Sequence, residues 1–100
     1  MLQVTRDNTI IIHKGDAFSL LCASDDVIEA EKLFFYATNE ANEIVIEKQA
    51  EQHENGVYFV FNSNETNLEP TVYNYFIKYT IDAQNGTTIV NSTLKVKRSI

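Results

Sequence analysis

The chain has one cysteine, three glycines and only eight basic side chains in 100 residues, and each scarcity removes a class of answer. A single cysteine, Cys22, excludes an internal disulfide. With no C-x-x-C, and with His13 and His53 isolated, metal-ligand spacing is absent as well. The glycines at 15, 56 and 86 lie too far apart for a Walker A loop or a G-x-G-x-x-G turn, which removes the common nucleotide cradles. No apolar run approaches the roughly 20 residues of a membrane helix, and the start, MLQVTRDNTIIIHKGD, lacks an apolar stretch of signal-peptide length. The expectation is a soluble protein made in a reducing cytoplasm, without a membrane partner. N-x-S/T triplets begin at Asn64, Asn85 and Asn91, and without a secretory signal they are taken as chance in a chain rich in Asn and Thr.

Positive charge is also scarce. Eight basic residues against fourteen acidic ones give a net charge of −6, which speaks against nucleic acid or anionic lipid as a partner. The imbalance is uneven: residues 25–54 hold nine carboxylates and two lysines, whereas residues 76–100 hold four basic side chains and one acid, Asp82. Such a chain can pair its own two sides or pair copies head to tail. A solvated surface with a local imbalance is the plainer alternative.

Nothing in the pattern assembles a catalyst, which needs a nucleophile with a base in reach or two carboxylates in a cleft. No Ser lies in a G-x-S-x-G elbow, and Cys22 follows Phe18, Leu20 and Leu21, as a small buried hydrophobe would. Asp25, Asp26, Glu29 and Glu31 lack the D-x-D-x-D-G loop of a calcium site, and a solvated acidic loop is expected there instead. Among Tyr73, Tyr75, Phe76 and Tyr79 only Lys78 is basic, too little for a base-stacking platform. The expectation is therefore no catalytic, cofactor-binding or metal-binding residue, and no enzyme.

What the chain does have is alternation. Apolar content of 44% in 100 residues suits one domain, 1–100, with one core. In VYNYFIKYTI (72–81), Tyr73, Tyr75, Ile77, Tyr79 and Ile81 fall on one face and Asn74, Lys78 and Thr80 on the other, the period of a strand. Val72 and Phe76 interrupt the polar face, so part of it is expected to be covered too. Thr88, Val90, Ser92, Leu94 and Val96 alternate after Asn85-Gly86, a dipeptide that supplies the positive φ angles of a tight hairpin turn. Asn55-Gly56 separates NEIVIEK from VYFVF, and His13-Lys14-Gly15-Asp16 separates TIII from AFSLLC. With LFFYAT at 33–38, this predicts about seven or eight strands in an all-β antiparallel sandwich.

Three segments resist the pattern. DDVIEAEKL (25–33) is assigned to a loop with one helical turn, and EIVIEKQAEQHEN (43–55) to a strand over 43–48 followed by an acidic loop, although Glu, Ala and Lys give both some helix propensity. SNETNLEP (63–70) predicts a helical turn capped by Ser63 or Asn64 and stopped by Pro70. A helical turn, Leu68 and then a strand from Tyr73 resemble the E to F corner of immunoglobulin-like sandwiches, where a tyrosine hydroxyl ties the corner to upstream backbone. Tyr73 is the candidate for that tie, the alternative being a phenol tip left in water.

Taken together, IIIHKGDAFSLLC, KLFFYATN, GVYFVFNSNETNLEPTVYNYFIKYTI and GTTIVNSTLKVKR resemble the N-terminal module of phage baseplate upper proteins and related small tail domains. The matching positions are Gly15 and Asp16, Thr66 and Leu68, Tyr73 and Tyr75, Gly86, and Leu94 with Val96. Val72 stands where that pattern has glycine, and Phe76 where it has an acid. The resemblance implies a non-enzymatic virion structural part, tail or baseplate associated. It would be made in the host cytoplasm and present sheet faces and edges to other virion structural proteins or to copies of itself. The competing expectation is a stand-alone immunoglobulin-like recognition domain that binds a host-surface protein or glycan through its loops.

Overall fold

A computed structural model describes residues 3–23, 29–54, 56–80 and 86–98. Nine strands appear among them: β1 (Gln3–Val4), β2 (Ile10–His13), β3 (Phe18–Ala23), β4 (Leu33–Thr38), β5 (Ile44–Gln49), β6 (Glu51–His53), β7 (Gly56–Phe61), β8 (Val72–Thr80) and β9 (Gly86–Lys97). A 3-10 turn at Ala30–Lys32 precedes β4. The strands form two sheets, ordered β1-β2-β9-β8-β4-β5 and β3-β7-β6. The domain is thus all-β and two-layered.

Alternation decides which side chains meet between the layers. Leu33, Phe35 and Ala37 of β4, Tyr73, Tyr75 and Ile77 of β8, and Leu94 and Val96 of β9 are buried, and from the smaller sheet Val57, Phe59 and Phe61 of β7 face them. Phe35 is the hub. Its ring stacks on Tyr75 at 5.1 Å, meets Phe61 edge-on at 5.0 Å and lies 5.7 Å from Phe59. Offset and edge-to-face pairs of this kind add to the area they remove from water. Of the aromatic residues of β8, Tyr75 supplies one ring of this cluster, from an inner strand of the larger sheet.

Pairing departs from the expected antiparallel pattern at one place. β2 runs parallel to β9, with Ile10 opposite Leu94 and Ile12 opposite Val96. The cause is the turn after β2: Gly15, at φ 84°, lets the chain leave its sheet and enter β3 in the other layer, so β2 forms a hairpin with β1 but none with β3, and its other edge is open to β9. The segment 43–55 likewise differs from expectation. Its strand ends at Gln49, buried Ala50 donates its N–H to the Leu33 carbonyl at 3.0 Å, and the predicted acidic loop is instead β6, in the other layer. β6 pairs with β7, Gln52 opposite Val57, so the hairpin partner of VYFVF is EQH and not NEIVIEK. All three β6 residues are exposed, which left no apolar signal to find.

The cap at 63–66 is also shifted. Asn62, not Ser63 or Asn64, holds this turn: its Oδ1 accepts the Glu65 N–H at 2.9 Å while Glu65 Oε1 accepts the Asn62 N–H at 3.0 Å, a reciprocal capping box. Lys48, whose side chain leaves β5 on the same face as Phe35, donates to both Glu65 carboxylate oxygens at 2.8 and 2.9 Å. Burial raises the Glu65 pKa, but the Lys48 hydrogen bond, the Asn62 N–H and the Lys48 charge outweigh it and leave the group below its ordinary 4.5. The unfolded chain therefore takes up this proton first on acidification, and stability falls as pH drops from that value through the folded pKa. Urea midpoints measured from pH 6 down to pH 3 are expected to fall, and less steeply in Lys48→Met; identical slopes would exclude the coupling.

Candidate interaction surfaces

The residues singled out for chemistry scatter. Among the described residues, no group of three or more His, Cys, Asp or Glu is placed to hold a metal ion. Asp25 and Asp26, and the side chain of Cys22, lie outside the described residues. Glu29 pairs with Lys32 at 3.1 Å, on the exposed side of the 3-10 turn. The histidines are less isolated than expected: His13 Nδ1 lies 3.9 Å from Asp16, and His53 Nε2 lies 3.5 Å from Glu51 with its ring edge-on to Tyr58. Both carboxylates sit two or three residues away in sequence. Strand and turn geometry, not sequence spacing alone, brings each pair together.

The turns are tied to one another by three groups that the sequence had marked. Tyr73 Oη donates to the Glu69 carbonyl at 2.8 Å, four residues upstream, so the phenol tip is bonded to the corner rather than left in water. Burial, with the Glu69 charge nearby, raises the Tyr73 pKa and keeps the hydroxyl a donor. Thr66 Oγ1 donates to the Asp16 carbonyl at 2.6 Å, and the Gly15 N–H donates to the Thr66 carbonyl at 3.1 Å, joining the β2–β3 turn to the turn after β7. Tyr75 Oη donates to the Asn8 carbonyl. Tyr73→Phe removes one such bond and is expected to cost about 1 kcal/mol. For a domain of this size that lowers the melting midpoint by roughly 4–8 °C, and calorimetry showing no change would mean the corner does not need the bond.

The Tyr73–Glu69 joint borders an open groove at one end of the sandwich, about 600 Å³, lined by Asn39, Glu40, Val45, Asn67, Glu69 and Val72 among others. Asn39 shapes one wall, since its Oδ1 accepts the N–H groups of Ala41 and Glu43 at 2.9 and 3.0 Å and so folds the β4–β5 turn.

A second surface covers the outer face of the larger sheet. Phe34 and Tyr36 of β4 and Phe76 of β8 point away from the core, each partly exposed. Their rings form a stripe: Phe34 to Tyr36 at 6.2 Å, and Tyr36 to Phe76 at 5.1 Å, where the two residues are direct cross-strand neighbours. Glu47 of β5 lies beyond Tyr36 on one side, and Asn91 of β9 beyond Phe76 on the other. Sequence reasoning found Phe76 as a break in a polar face. It missed Phe34 and Tyr36, because LFFYAT is apolar on both faces and shows no alternation. Compared with protein-family models and with curated protein sequences, the chain matches none.

Proposed function

We propose that the chain is a non-enzymatic assembly module that works through protein–protein contacts, and that the particle it serves is a phage or prophage virion, in the tail or baseplate. The observation that carries the contact role is the ring stripe of Phe34, Tyr36 and Phe76 on an outer sheet face, where a solvated sheet would carry polar side chains. The virion assignment rests on the resemblance, whose marked positions do structural work here: Gly15, Asp16 and Thr66 join two turns, while Tyr73 and Tyr75 combine core packing with a tie to backbone. Within the all-β class, the finer reading is an immunoglobulin-like sandwich of the variable type. β9, β8, β4 and β5 then take the places of strands G, F, C and C′, β3, β7 and β6 those of B, E and D, and Tyr73 makes the corner bond.

The end groove favours a second reading, a recognition domain that takes a host-surface glycan or protein at its loops, because polar Asn39, Asn67 and Glu69 there border apolar Val45 and Val72. One comparison separates the two. Co-expression with the products of the neighbouring genes is expected to yield a stable co-purifying complex, and a glycan array is expected to stay blank. A glycan hit blocked by Asn67→Ala, with no complex, would overturn the assembly role.

A further inference from the structure

The geometry points to a second copy of this chain as the partner of the ring-striped face, in a two-fold dimer whose axis runs along the strands; this rests on the assembly reading and names its first partner. The size of the face fits a second copy. Its six strands run from two residues in β1 to twelve in β9, and at about 3.3 Å per residue and about 4.8 Å between strands they offer several hundred Å² before side-chain relief, toward the roughly 800 Å² per partner of a stable interface. The order of side chains across the face suits a second copy as well. One row, set by strand pairing, reads Glu47, Tyr36, Phe76, Asn91, and the Phe34 row below it has Lys78 as the direct neighbour of Phe34.

A two-fold axis along the strands keeps each row and reverses its order. Tyr36 then meets Phe76 of the second copy, Glu47 meets Asn91, and Lys78 comes to lie over Phe34, so rings stack on rings and a cation meets a ring face. An axis across the strands through the same row would place Glu47 against Glu47, two carboxylates removed from water together. The charge pattern selects the first arrangement, since like charges brought face to face cost several kcal/mol. An interface of this kind is isologous and closes at two copies, as an assembly unit should.

Sedimentation velocity of the whole chain across a concentration series is expected to show a monomer–dimer equilibrium. Phe76→Glu is expected to weaken it about tenfold or more, as at a central ring contact, and Val60→Glu on the smaller sheet is expected to leave it unchanged. Register is read separately in a Cys22→Ser background, with substitutions at exposed positions that spare the fold. Glu47→Cys with Asn91→Cys should give a covalent dimer with a short bismaleimide, and Glu47→Cys alone should not. Within one chain these strands stand three spacings apart, about 14 Å. A monomer at every concentration, a dimer indifferent to Phe76→Glu, or cross-linking by Glu47→Cys alone would each overturn the inference. A monomer that still co-purifies with neighbouring structural proteins would sink the dimer and leave the assembly role standing. A dimer of the stated register without such partners would do the reverse.

Discussion

Phe35→Ala is expected to cost about 3–5 kcal/mol, as large-to-small changes of buried aromatics do, and to lower the melting midpoint by roughly 15–30 °C. Phe35 is 1% exposed and touches three other rings, from both layers, so no single neighbour can close the space it leaves. A domain of 100 residues has only about 5–15 kcal/mol in all, so the variant sits near the edge of folding at body temperature. The sharper result is the contrast with its neighbour. Phe34→Ala removes a ring of equal size one position earlier, on the outer face, and is expected to cost no more than about 1 kcal/mol, the scale of a cross-strand pair. Thermal melts of the two variants side by side check both values. Equal losses would mean that β4 does not alternate between core and surface.

Thr66→Val is expected to destabilise by about 1–3 kcal/mol, although valine has the same shape. Thr66 is fully buried, and its hydroxyl donates to the Asp16 carbonyl fifty residues away in sequence. A methyl group there leaves that carbonyl without the hydroxyl it faces, a desolvation cost that the better burial of valine does not offset. Thr66→Ser keeps the donor and is expected to retain most of the stability. Urea titration reads the difference as a shift of midpoint at unchanged slope. A valine variant as stable as the parent would show that the joint between the two turns is held by packing alone.

How much of this was written in the sequence depends on what each element buries. β8 and the end of β9 were legible, because each has one wet face and one dry face and so alternates. Tyr73 was legible as a corner tie because a turn signal, Pro70 and the strand start fix its place. β6 was invisible, since its three exposed residues carry no apolar mark and only pairing with β7 makes them a strand. The parallel pairing of β2 with β9 was hidden for a different reason: it depends on which layer the chain enters after Gly15, and a local pattern does not record that. The ring stripe was half legible. Phe76 interrupts an otherwise polar face, but Phe34 and Tyr36 alternate with Phe35 and Ala37, all of them apolar, so the strand that matters most to both faces gave no sign of which was which.

Hydroxyl-radical footprinting of the chain, dilute and concentrated, tests that division of rings most directly. Phe34, Tyr36 and Phe76 are expected to be oxidised in the dilute sample and shielded in the concentrated one, while Phe35, Phe59 and Tyr75 stay unreactive in both. Equal labelling of inward and outward rings, or shielding confined to other strands, would contradict a sandwich that meets its partners through this face.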